Sequence, residues 1–217
     1  MRDKYKVIGP IYDMLSTLYS GKNILKCKTA MLNENTISPG TKVLFAGVGH
    51  GRDAIKAAEL GADVTVVDLS ETMLRKFEDV RLEQSPDAKV RKVHSDILKF
   101  DEFGEFDMVI ANFFLNVFDE DTMVTVLQHL IKLGKPNAKV VVGDFAYPTG
   151  NLVARGFKKA YWYAALSLFC LLAGNAFHEI YNYPEHMRKL GLKVATPQHF
   201  KLLNMQMFWS ILGEKQA

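Results

Sequence analysis

Gly47, Gly49 and Gly51 alternate along one short turn, and Asp68 follows about 20 residues after the first of them. A turn without Cβ atoms lets backbone come close to a ligand that larger residues would push away. A carboxylate at the end of the next strand can accept hydrogen bonds from both hydroxyls of a ribose. Together these residues point to a nucleoside. A dinucleotide turn would place its third glycine at position 52, where this chain has Arg52. That weighs against a nicotinamide-dependent reductase. His50, between two of the glycines, has two readings: a cation near a ligand carboxylate, or an exposed turn residue.

The elements that must position these residues follow from periodicity. Val43 to Ala46 is a short apolar strand that leads through the glycines into a helix-forming segment, Asp53 to Leu60. The β-branched run Val64 to Val67 ends at Asp68. Three further buried strands are expected at Lys89 to His94, Phe106 to Ala111 and Lys139 to Phe145, with helices at Glu71 to Leu82 and Asp119 to Leu133. Gly134-Lys135-Pro136-Asn137 reads as a stop signal after the second helix. Alternation of strand and helix predicts an α/β, Rossmann-like, doubly wound and mostly parallel sheet. The tail adds two expected strands, Lys193 to Leu203 and Met205 to Leu212, joined at Asn204. The expectation is a seven-stranded sheet with a C-terminal antiparallel pair, in one domain over residues 1–217. Residues 1–38 form a helical cap and 148–192 an apolar insertion.

The alternating glycines, together with Val66-Val67-Asp68-Leu69-Ser70 and Met73-Leu74, resemble the class I S-adenosylmethionine (SAM) methyltransferases. In particular, the run from Val66 to Leu74 looks like the branch containing the ubiquinone and menaquinone C-methyltransferases. The resemblance implies SAM as cofactor, with Gly47, Gly49 and Gly51 against its methionine portion and ribose and with Asp68 on the ribose hydroxyls. Leu69 and Met73 would pack on the adenine or, equally, serve the helix core. Asp96 would meet the adenine amino group and Ile97 would offer its backbone N–H, unless Asp96 is an ordinary cap. Asn112 would face the reacting centre. Tyr12 and Tyr19 are similar to a segment that covers the cofactor, or they fill a helix interface. One departure stands out: the acidic residue that the family has two positions before the first glycine is Phe45 here. A fold of this family that no longer transfers methyl groups is the alternative that Phe45 motivates.

Methyl transfer from a sulfonium needs alignment and exclusion of water more than it needs a base. For the acceptor, His178 and Tyr181 are the catalytic candidates, with Tyr183 and Asp144 beside them in the pocket. Phe113-Phe114 and the apolar run Tyr161 to Ala173 point to a small apolar acceptor, such as a quinone precursor, a phenol or a lipid-like molecule. That run is too short to span a bilayer. It covers the acceptor pocket, a partner subunit in a homodimer or the interfacial region of a membrane, or else it is a plain buried core helix. Arg155, Lys158 and Lys159 just upstream would favour weak peripheral contact with an anionic surface.

Other classes are disfavoured. The net charge of +3 is small and dispersed, and Asn112-Phe113-Phe114-Leu115 lacks the double proline of base-directed amine methylation, so no nucleic-acid partner is expected. No metal-ligand spacing is present. Cys27 and Cys170 form no disulfide framework and read as buried small residues. The first residues have no apolar core of signal length, which gives a cytoplasmic expectation, extended to the membrane periphery by the apolar run.

Overall fold

The computed structural model describes residues 23–149, 152, 155–163, 179–202 and 205–216. Tyr12, Tyr19, Cys170, His178, most of the expected lid and the Asn204 joint lie outside them. A helix, α1 (residues 23–29), precedes β1 (Lys42–Ala46), α2 (Arg52–Glu59), β2 (Asp63–Asp68), α3 (Glu71–Gln84) and β3 (Val90–His94). Then come β4 (Phe106–Asn112), α4 (Glu120–Leu133), β5 (Gly134–Phe145), helical residues 155–163 (α5) and α6 (Tyr183–Lys189). The chain closes with β6 (Leu192–Val194), β7 (Gln198–Leu202) and β8 (Met205–Lys215).

The strands order as β3-β2-β1-β4-β5-β8-β6, with β7 also on β8. The first five run parallel, and β8 is antiparallel to β5. The sheet therefore has eight strands where seven were expected. The tail segment expected as one strand breaks at residues 195–197 into β6 and β7, which share one edge of β8. Pro197 in that break has no N–H to give a ladder. Nor does α4 stop at a turn: Gly134 already pairs with Phe106, and the ladder takes up an irregularity near Asn137, which lies at φ 65°.

Alternation along the strands builds two cores. Leu44, Ala46, Val109, Ala111, Val140 and Val142 face α4 and α6. Val43, Phe45, Met108, Ile110 and Val141 face α2 and α3, where Phe77 is fully buried. A period of two in side-chain direction puts successive residues on opposite faces. The strand expected to be buried at Lys89 to His94 is instead half exposed, because β3 is the sheet edge. Ser70 caps α3 by accepting from Met73 N–H, and Asp119 caps α4 by accepting from Thr122 N–H.

Candidate active site

Parallel strands end together, and the loops beyond β1, β2 and β4 converge at their carboxyl edge, where open α/β sheets bind ligands. At the opposite edge lies a hollow lined by residues that include Lys42, Asp63, Arg91 and Glu102. Its charges are already paired, Lys42 with Glu105 and Arg91 with Glu102. Nothing there calls for a ligand.

At the carboxyl edge Asp68 is the hinge of the arrangement. Its Oδ2 accepts from Val48 N–H inside the glycine turn (2.9 Å), and its Oδ1 accepts from Ser70 N–H (2.8 Å). A carboxylate suits the paired hydroxyls of a ribose because each of its oxygens can accept. Leu69 beside it is 49% exposed, an apolar side chain presented to the crevice. His94 holds the backbone of that residue through Nε2 and Leu69 O (3.0 Å).

The three glycines do different work. All three have φ between +51° and +74°. A Cβ on Gly51 would run into the ring of Phe77, so glycine at this position lets α3 pack against the turn. A Cβ on Gly47 would stand 2.5 Å from Phe114 Cδ2, so that glycine receives a ring as well. Only Gly49 opens on space, with Lys28 Nζ at 3.6 Å from where its Cβ would be.

Several expected ligand contacts take up structural duties. Met73 is buried in the α2–α3 core, and Ile97 in the opposite core. Asp96 Oδ1 accepts from Leu98 N–H and caps the 3-10 turn Ile97–Lys99. Tyr181, expected as catalytic, is buried and donates its hydroxyl to Phe118 O (2.9 Å), with burial pushing its pKa well up. That is the bonding of a core tyrosine. Asn112, 7% exposed, donates from Nδ2 to Lys28 O (3.0 Å) and to Asp53 Oδ2 (2.9 Å). Its Oδ1 is buried without a hydrogen-bond partner among the described residues. A Cβ on Gly143 would strike that oxygen, so the strand needs glycine there.

Sequence reasoning missed Asp53, which is 3% exposed in the first turn of α2. Phe113, which the sequence offered as part of the acceptor surface, sits at φ 52°, a left-handed conformation that costs a bulky residue of order 1–3 kcal/mol and that clusters at functional sites. Phe113 stacks edge-on to Phe145 (5.7 Å) and Phe208 (5.8 Å), and Phe145 meets Trp162 (4.7 Å) and Tyr161 (6.5 Å). The result is an aromatic wall beside Asn112. On the other face of the same strand end, Asp144 is 1% exposed. It accepts from Asn116 Nδ2, Tyr183 hydroxyl and Phe145 N–H at 2.8 to 2.9 Å.

Burial lifts the Asp144 pKa to about 7, against the pull of those three donors. In the unfolded chain an aspartate titrates near ~3.9. Between about pH 4 and 7 the native state therefore holds the extra proton, and stability falls as pH rises through that window. Asp144→Asn removes the titration. Urea melts of variant and wild type should diverge in the variant's favour by on the order of 3 kcal/mol from pH 4 to pH 8. Parallel curves would show that Asp144 is ionised throughout.

The cationic approach to the lid is less available than its sequence implies. Lys158 is buried, its Nζ donating to Thr149 O (3.4 Å) with desolvation lowering its pKa, and Lys159 pairs with Glu179. No described helix is long and apolar enough to cross a membrane. No group of three or more potential metal ligands is found among the described residues.

The edge fits an S-adenosyl ligand: an open glycine in a left-handed turn, a steered carboxylate one strand away, an exposed apolar side chain beside it, and a buried amide oxygen without a hydrogen-bond partner among the described residues. A family model described as a methyltransferase domain matches residues 43–137. The chain is 31% identical over 171 residues to the demethylmenaquinone methyltransferase of Clavibacter sepedonicus, covering 78% of this chain and 67% of that protein. Among solved structures it is similar to magnesium protoporphyrin IX methyltransferase from Synechocystis PCC 6803 with bound SAM, at TM-score 0.69 and 16% identity, covering 100% of this chain and 98% of that one. It is similar also to the Burkholderia thailandensis 1,6-didemethyltoxoflavin-N1-methyltransferase, crystallised with its substrate and S-adenosylhomocysteine, at TM-score 0.65 and 18% identity over 100% of this chain and 92% of that one. The glycine turn, the Asp68 carboxylate, the sheet order and these likenesses converge on one statement: the chain belongs to the class I SAM-dependent methyltransferases.

Proposed function

We propose that this methyltransferase acts on a small, flat, apolar acceptor of the quinone-precursor or phenol class. The observation that carries the reading is the wall of Phe113, Phe145, Phe208, Tyr161 and Trp162 at the strand ends beside Asn112. Edge-to-face aromatic surfaces favour a planar ring over a chain or a charged head group. The demethylmenaquinone substrate implied by the relative's name is of that kind, as is the ring system in the toxoflavin enzyme.

In this reading Gly49 and Asp68 hold the cofactor's backbone-facing and ribose portions, and Leu69 lies along its base. Bound there, SAM supplies a methyl group already activated by the sulfonium charge. The chain's own task is to hold an acceptor atom in line with it and to keep water out, which needs no strong base. The aromatic wall fixes the plane of the acceptor, and α5, whose Trp162 lies on Phe145, closes one side.

The test is a turnover panel read as S-adenosylhomocysteine formed and methyl mass gained by the acceptor. Reduced demethylated naphthoquinones and simple phenols should be methylated, and aliphatic amines and fatty acids should not. Turnover confined to the aliphatic members would overturn the acceptor class.

A further inference from the structure

Phe45 stands where the family resemblance places an acid, and it lies in the apolar core between β1 and the α2–α3 layer. The same face of the sheet nevertheless receives a carboxylate from another element. Phe45 pairs with Ile110 in the β1–β4 ladder, so Asn112, two residues further along β4, lies beside Gly47 on the side of α2. There its Nδ2 grips Asp53 Oδ2, brought down from the first turn of α2, and Lys28 O, brought across from α1. The side chain of the same Lys28 reaches the open glycine, and no ion pair holds its ammonium among the described residues. One amide thus ties the first turn of α2 to the backbone of α1, with its own Oδ1 buried and without a hydrogen-bond partner among the described residues.

We infer that Asp53 and Lys28 are positioning residues for the amino-acid end of the cofactor, Lys28 pairing with its carboxylate over Gly49 and Asp53 facing its ammonium in place of the acid missing at position 45. The inference rests on the cofactor assignment above. A zwitterion needs both charges, and a Phe45 core can supply neither. Moving the acid from β1 to the first turn of α2 keeps it at the strand ends, where Asn112 holds its Oδ2.

The test separates the amino-acid end from the nucleoside. Calorimetric titration of wild type, Lys28→Ala, Lys28→Arg and Asp53→Asn is run with S-adenosylhomocysteine and with 5′-methylthioadenosine, which has the nucleoside but no amino-acid group. Lys28→Ala and Asp53→Asn should each weaken S-adenosylhomocysteine roughly 10-fold or more and leave methylthioadenosine within about 2-fold, with Lys28→Arg recovering most of the loss. Thermal melts of the ligand-free variants check that the fold is kept. Equal loss for both ligands, or loss for neither, overturns the inference and leaves the nucleoside site standing. Wild type that binds neither ligand overturns the cofactor assignment and the inference together.

Discussion

Gly51→Val is expected to lower the melting temperature of the ligand-free protein by roughly 4–20 °C, while Gly49→Val, two residues away, folds and fails to bind SAM. The difference lies in what each Cβ meets. Both positions are left-handed, at φ 64° and 51°, which costs an L residue about 1–2 kcal/mol. At Gly51 the new side chain also strikes the ring of Phe77, which is fully buried and has no room to turn away. Overpacking adds about 1–3 kcal/mol. Against a total stability of about 5–15 kcal/mol the sum is a large share. At Gly49 the nearest atom is the end of the flexible Lys28 side chain, so the fold bears only the backbone strain and the ligand meets the branched side chain. Circular dichroism melts with SAM titrations on both variants read the two effects separately. A stable Gly51→Val, or a Gly49→Val that binds SAM as tightly as wild type, would contradict the division of roles.

Asp68→Ala is the second large effect. The substitution removes the acceptor for the ribose and also unties the turn, because Val48 N–H and Ser70 N–H lose the oxygens that hold them. A hydrogen bond to a charged group contributes about 1.5–3 kcal/mol, so SAM affinity should fall roughly 10- to 150-fold from the ligand contact alone and further as the turn loosens. Asp68→Asn, which keeps one acceptor oxygen, should fall between the two. Calorimetry checks the affinities, and an unchanged affinity in a folded Asp68→Ala would remove the cofactor assignment.

What could be seen in the sequence was local. The glycine turn, Asp68 and the helix expected from Asp119 to Leu133 are each written in a few consecutive residues whose conformational needs do not depend on distant partners. What could not be seen was set by packing across the fold. Nothing near Gly51 announces that Phe77 from α3 packs over it. Asp53 looks like an exposed helix-start carboxylate until Asn112, 59 residues later, takes its oxygen. The Lys89 to His94 run has strand composition in any position, and only the sheet order makes it an edge. Phe113 is left-handed because its N–H must reach Gly143 O (2.7 Å) as β4 turns away from β5, a demand no neighbouring residue announces. Tyr181 and Met73 are both buried, which their residue types alone did not announce. The break at residues 195–197 did have a local mark, Pro197, which the apolar alternation around it concealed.

The central claim is a cofactor site at the carboxyl ends of β1, β2 and β4, and direct titration of the purified protein with S-adenosylhomocysteine tests it. The account predicts saturable one-to-one binding that is lost or much weakened in Asp68→Ala and Gly49→Val while both variants keep their secondary structure. No heat and no thermal shift at millimolar ligand, or binding that both variants leave untouched, would contradict it.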